Sequence, residues 1–197
     1  MLRMRVALAL SITVLTLGCS CADDAGAAAP RPTHPAAARH ADSEDYAGGI
    51  AWHVDPPLVP HATTSAMRAA EYVVSDHPEA TLAVFHFGAG EGGSVDDNVN
   101  RWVDQFTQAD GRSSRDAASI TTREVGGMPV TLIDVSGSFS GMRGSEATVT
   151  AEDQRMLGAI VEGPEGLVFF KLTGPADIVE SASHSFDEMI ASIHPAT

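Results

Sequence analysis

The chain has 197 residues, with 12 basic against 26 acidic side chains and a formal charge of −14 at pH 7. A balance of that sign excludes binding to nucleic acid or anionic lipid through bulk charge. Both cysteines, Cys19 and Cys21, stand near the N-terminus, so the remainder must be stabilised by a packed core rather than by a disulfide.

Met1 to Arg5 is a short basic start, Val6 to Leu17 carries no charge, and Gly18-Cys19 closes the run. As a helix that run spans roughly 18 Å, short of a hydrocarbon core about 30 Å thick, so a permanent transmembrane anchor is not expected. Basic, apolar and small-residue parts in this order resemble a secretory signal. Thr16-Leu17-Gly18-Cys19 resembles a lipoprotein signal, with Thr16 where that pattern prefers Leu. The resemblance implies that residues 1–18 are removed and that Cys19 is acylated, palmitate included, to become the mature N-terminus. It also implies export to the cell envelope and a lipid anchor in a bacterial membrane. The bland alternative is an ordinary signal peptide with incidental cysteines. Cys21 is a second acylation candidate. Loss of residues 1–18 removes Arg3 and Arg5 and no acid, leaving a still more acidic chain.

Residues 19–47 read as the lipidated end and a disordered linker. Ala25 to Ala29 runs into Pro30-Arg31-Pro32 and Ala36 to Ala38 with no apolar periodicity. Its root-mean-square reach is roughly 25–30 Å. His34 and His40 fall here and are expected to be solvated.

Residues 48–197 read as a single globular domain. Ile50 to Trp52 is a short strand broken by Asp55-Pro56-Pro57. Met67 to Ser75 and Ala80 to Phe87 follow as strands. Gly88 to Gly93 breaks the chain. Ser94 then caps a helix with Asp96 and Asp97 in its first turn, and Val95, Val99, Trp102, Val103 and Phe106 make its apolar stripe. Ile120 to Val125 and Met128 to Ser136 flank Gly126-Gly127, a hairpin signal. Gly137 to Asp153 is rich in Gly, Ser and Thr and is expected to be mobile. Arg155 to Glu162 and Leu167 to Thr173 flank a second hairpin, Gly163 to Gly166. Pro175 opens the last helix, striped by Ile178, Val179, Ala182, Phe186, Met189, Ile190 and Ile193.

Hairpins in this number predict a largely antiparallel sheet of about six strands. Leu82 and Val84 oppose Phe85 and Phe87, and Met156 and Ile160 oppose Leu157 and Val161. Both faces of the sheet therefore need cover. One helix per face gives the expected class: α+β, an α/β/α sandwich with helices on both faces.

That order, with Trp52, Pro56 and Pro57 at its start, resembles the Mog1/PsbP-like fold. Ser65 to Ala70, Asn98 to Phe106 and Phe169 to Pro175 also resemble a group of exported bacterial proteins of uncharacterised role, over residues 48 to 194. The resemblance implies an accessory role and transfers no functional residue.

Gly88-x-Gly90-x-x-Gly93 matches a dinucleotide fingerprint, but Glu91, Asp96 and Asp97 oppose a pyrophosphate and no parallel return follows. Asp96, Asp97, Asn98 and Asn100 offer oxygen atoms without the spacing of a calcium loop. Asn98, Arg101 and Gln105 lie at i, i+3 and i+7 on one polar side of the first helix, a hydrogen-bonding set suited to a partner. An Asp97–Arg101 i,i+4 ion pair is the plainer reading of Arg101. Lys171 shares a strand face with Phe169 and Thr173, and with His86 and Asp134 it would make a polar cluster of shifted pKa. Ser136, Ser138 and Ser140 lack a nucleophile-elbow pattern, and His53, His61 and His77 lack metal-ligand spacing. Neither catalytic residues nor a metal site nor a cofactor is expected. The reading is a membrane-tethered, non-enzymatic binding or accessory module of the envelope, with Asn98, Arg101, Gln105 and Lys171 as binding candidates. Its partners would be the membrane, through the acylated terminus, and an envelope protein or ligand, with no nucleic acid. An envelope hydrolase and a cation-binding module are the alternatives.

Overall fold

Two hairpins set the frame. At the first, Gly126 and Gly127 have φ of 57° and 80°, the left-handed pair that a tight two-residue turn requires, and Val125 faces Met128 across it. At the second, Gly163 faces Gly166. The structure is a computed structural model that describes residues 44–140 and 150–196. The signal-like residues 1–18, Cys19, Cys21, His34, His40, most of the 19–47 linker and residues 141–149 lie outside the described residues.

In chain order the strands are β1 (Asp45–Ala47), β2 (Ile50–Trp52), β3 (Leu58–Pro60), β4 (Arg68–Val74) and β5 (His77–His86). Helix α1 (Val95–Val103), β6 (Phe106–Thr107) and α2 (Ser114–Ala117) follow. Then come β7 (Ser119–Val125), β8 (Met128–Ser140), β9 (Thr150–Gly163), β10 (Gly166–Pro175), α3 (Ala176–Ala191) and β11 (His194–Pro195). Eight strands form one antiparallel sheet in the order β3-β4-β5-β10-β9-β8-β6, with β7 also paired to β8; β1-β2-β11 form a separate three-stranded sheet.

The large sheet is apolar on both sides, as the strand alternation predicts. On one side Tyr72, Leu82, Val84, Leu157, Val161, Phe170 and Leu172 pack with Val179, Ala182, Phe186, Met189 and Ile190 of α3. On the other, Ile133, Val135, Met156, Ile160 and Phe169 pack with Val99, Trp102 and Val103 of α1. Each large side chain removed from water in this way contributes about 1.5–3 kcal/mol.

The expected α/β/α sandwich of about six strands is corrected. The molecule is mainly antiparallel β, with 51% of the described residues in strands and 20% in helices. It has two sheets of 8 and 3 strands and three helices among the described residues, not helical layers on both faces. The reason lies in element length. Helix α2 is a four-residue turn and α1 has nine residues, whereas β8 and β9 run for 13 and 14. The pairing of β8 and β9 carries the ladder through Gly137–Ser140 and Thr150–Gln154, so the described ends of the Gly137–Asp153 segment expected to be mobile are paired strand, and Phe139 also faces Phe106 of β6.

Candidate functional site

Helix α1 begins at Ser94, whose side chain accepts from the Asp97 N–H at 3.1 Å and donates to the Asp97 carboxylate at 2.6 Å. Asn98 is fully buried rather than exposed on a polar side. Its amide donates to the Gly92 and Ser94 carbonyls, each at 2.8 Å, and so pins the glycine loop to the helix. Its Oδ1 accepts from the Arg101 guanidinium. The expected Asp97–Arg101 pair is thus replaced by two other bonds: Asp97 closes the cap, and Arg101 reaches back to Asn98. Arg101 as a residue is exposed.

Gln105 lies just past the helix and is buried. Its Oε1 accepts from Lys171 Nζ, joining the end of α1 to the centre of β10. Lys171 stands between Ala83 of β5 and Gly158 of β9 in the sheet register. Gly158 is there for a steric reason: a Cβ would stand 2.8 Å from the Trp102 ring. The indole therefore lies against bare backbone, and Lys171 Nζ is 5.6 Å from the centroids of both Trp102 and Phe139. Burial, and after it the charge of Arg101, lowers the Lys171 pKa to about 8.

All four sequence candidates therefore belong to one connected cluster, although Asn98, Arg101 and Gln105 do not share the one polar side of the helix expected of them. Asn98 holds the loop, Gln105 holds Lys171, and Arg101 is exposed. The suggested grouping of Lys171, His86 and Asp134 does not form. His86 Nε2 meets the Glu165 carbonyl at 3.1 Å, and Asp134 serves Arg155 on the opposite face of the sheet.

A second site was not legible. An open cleft of about 560 Å³ is lined by Gln108, Arg112, Asp134, Ser136, Arg155 and Glu180, among others. Arg155 is its hub. Nε and Nη2 donate to the two oxygens of Asp134 at 2.9 and 2.8 Å, a bidentate fork, and Nη1 donates to Glu180 of α3. The bond to Asp134, then that to Glu180, raises the Arg155 pKa further above its ordinary value. Asp134 lies diagonal to Arg155 across β8 and β9, where Ser136 is the direct partner. Opposite charges on neighbouring strands could have signalled the pair, had the register been known.

Glu71 is also buried, at 3% exposure. Burial would raise its pKa, but the Thr64 N–H, the Arg68 guanidinium and the Thr64 hydroxyl together hold it below the ordinary glutamate value. The histidines disperse: His53 pairs with Asp55, His61 with Glu71 and His77 with Glu79. Ser119, Ser136 and Asp134 share the cleft, whose lining includes no histidine. Among the described residues no three His, Cys, Asp or Glu side chains gather closely enough to hold a metal ion. Gly88, Gly90 and Gly93 all adopt positive φ and shape the reversal into α1.

No protein-family model and no curated protein matches the chain. Among solved structures it is similar to cyanobacterial PsbP (CyanoP) from Synechocystis, at 12% identity and a TM-score of 0.49, over 76% of this chain and 88% of that one. A second neighbour, from Bacteroides thetaiotaomicron, has 11% identity and a TM-score of 0.45, over 78% of this chain and 47% of that one. A Pseudomonas aeruginosa protein of unknown function, described as a putative regulator, has 9% identity and a TM-score of 0.39, over 71% and 82%. The structural neighbours thus include a PsbP-like fold, and they transfer no residue and no activity.

Proposed function

We propose that the chain is a membrane-tethered accessory module of the cell envelope, acylated at Cys19, that binds a protein or ligand partner at the α1 end of its sheet. The anchor is supported by the order of basic, apolar and Gly18-Cys19 segments in the sequence. The binding surface is supported by one observation above all. Lys171 is drawn to Gln105 beside the exposed Arg101, and neither cation is ion-paired among the described residues. Cys19→Ser should shift the chain from the membrane to the soluble fraction with its melting unchanged. Membrane retention of a Cys19→Ser/Cys21→Ser variant would overturn the anchor. A photo-crosslinker at the exposed Asn100 should trap the partner in native envelopes, and Arg101→Gln should lower that yield severalfold. An unchanged yield rejects the surface.

An envelope hydrolase is the rival, favoured by Ser119, Ser136 and Asp134 sharing the cleft. Labelling by a fluorophosphonate ester that is lost in Ser136→Ala would replace the accessory reading.

A further inference from the structure

Lys171 is the only lysine among 12 basic residues. It is placed where an ammonium is poorly solvated, against two aromatic rings and beside a guanidinium. Two adjacent cations in an acidic protein would ordinarily recruit a carboxylate. The acids on this side are committed elsewhere, Asp97 to Ser94 and Glu71 to Arg68 and Thr64, while Asp134 and Glu180 sit with Arg155 on the opposite face of the sheet. Asp104, the exposed residue ending α1, pairs with neither cation among the described residues.

The donors left over point the same way. Arg101, an exposed residue, spends one Nη on Asn98, and its other guanidinium N–H groups have no partner among the described residues. Gln105 spends Oε1 on Lys171, and its Nε2 has no partner among the described residues. No fully buried side-chain nitrogen or oxygen among the described residues lacks a partner, so this Nε2 retains some contact with solvent. Guanidinium, ammonium and amide N–H are all donors, and the rings of Trp102 and Phe139 thin the water around them, which strengthens attraction to a negative group.

We propose that Arg101, Lys171 and the Nε2 of Gln105 form a binding site for an oxyanion, a carboxylate or phosphate group carried by the partner. This rests on the binding surface described above and specifies what that surface recognises. A bound anion would offset the repulsion between the two cations and favour the charged amine. By reciprocity, the charged amine favours the anion.

Because Lys171 is the sole lysine, the full chain grown with lysine 13C-labelled at Cε gives a single resonance whose pH titration reports this amine. The titration is run with sodium acetate or inorganic phosphate against sodium chloride at equal ionic strength. A saturable rise of about one pH unit in the Lys171 midpoint is expected, equivalent to about tenfold tighter anion binding to the charged amine. A rise with acetate alone assigns a carboxylate, and one with phosphate alone assigns a phosphate. In Arg101→Gln the anion-free midpoint should rise, since a neighbouring charge is gone, and the anion response should fall away. The absence of any saturable shift beyond chloride in the wild-type chain would overturn the oxyanion site. If Arg101→Gln still weakened partner capture, the surface would stand without its anion. If capture were unaffected while the anion shift remained, the site would bind oxyanions apart from any partner.

Discussion

Trp102 lies against Gly158, with no room for a methyl group between ring and strand: an added Cβ would stand 2.8 Å from the indole and 3.4 Å from Ile133. That contact positions the Trp102 ring beside Lys171. Gly158→Ala must push the indole away from β9, because the strand is held on both sides by β8 and β10. The expected cost is about 1–3 kcal/mol, typical of overpacking a filled core. Thermal melting should fall by several degrees, and the near-ultraviolet circular dichroism of the tryptophans should change. An unaltered melt would show that the indole has space to retreat.

Lys171 makes stability depend on pH in the alkaline range. Its folded pKa is about 8, against 10.5 for an ordinary lysine. Between those values the unfolded chain holds more protons than the folded one, so stability rises with pH. Below pH 8 both states carry the charge and its burial is a constant cost. Lys171→Met removes this dependence. The stability of wild type relative to the variant should therefore climb between about pH 8 and 10.5 and stay flat from pH 6 to 7.5. Urea melts across that range measure it. Parallel curves for the two proteins would mean that the ammonium is well solvated.

Glu71 acts at the other end. Desolvation raises its pKa, yet the donors from Thr64 and Arg68 outweigh that and hold it below the ordinary 4.5. A lowered carboxylate pKa contributes stability that is complete above the unfolded value and is lost as pH falls through the folded one. Glu71→Gln should be less stable than wild type at pH 7. Its deficit should shrink once the pH drops below about 4.5. A deficit that is independent of pH from 7 to 3 would assign the loss to packing alone.

The elements that repeat a pattern were legible, and those that rest on distant partners were not. Gly126-Gly127 announces its hairpin because few other residues tolerate two successive positive φ values. The stripe from Val179 to Ile190 announces α3, and Val99, Trp102 and Val103 announce the buried face of α1. β6 and β11 have two residues each, and β1 and β3 three, too few for a period to show, and Pro60 and Pro195 lie within two of them. β3 and β6 add to the longer β4 and β8, and β1 and β11 flank the three-residue β2, so each exists only through its tertiary partner. In the site, the face shared by Phe169, Lys171 and Thr173 follows from strand alternation alone. The partners of Arg101 did not, because Ser94 engages Asp97 first and Asn98 turns inward to the glycine loop. The bond from Lys171 to Gln105 spans 66 positions, and only the tertiary fold brings the two together.

Arg155 tests whether the cleft is held by one coupled cluster. Its side chain is 18% exposed, that of Asp134 40% and that of Glu180 69%, so the Asp134 fork is the stronger of its two pairs and the Glu180 bond is screened by solvent. Asp134→Asn keeps the shape and removes the charge, and Arg155→Met keeps the stem and removes the fork. A double-mutant cycle between them should give a coupling of about 1 kcal/mol, above an ordinary surface pair because the geometry is bidentate. Glu180→Gln paired with Arg155→Met should give a few tenths at most. Both cycles can be read from urea denaturation at 0.05 and 0.5 M salt. The Glu180 coupling should vanish at the higher salt and the Asp134 coupling should persist. Equal couplings in the two cycles would mean that Arg155 ties β8 and β9 to α3 as firmly as it ties the two strands to each other.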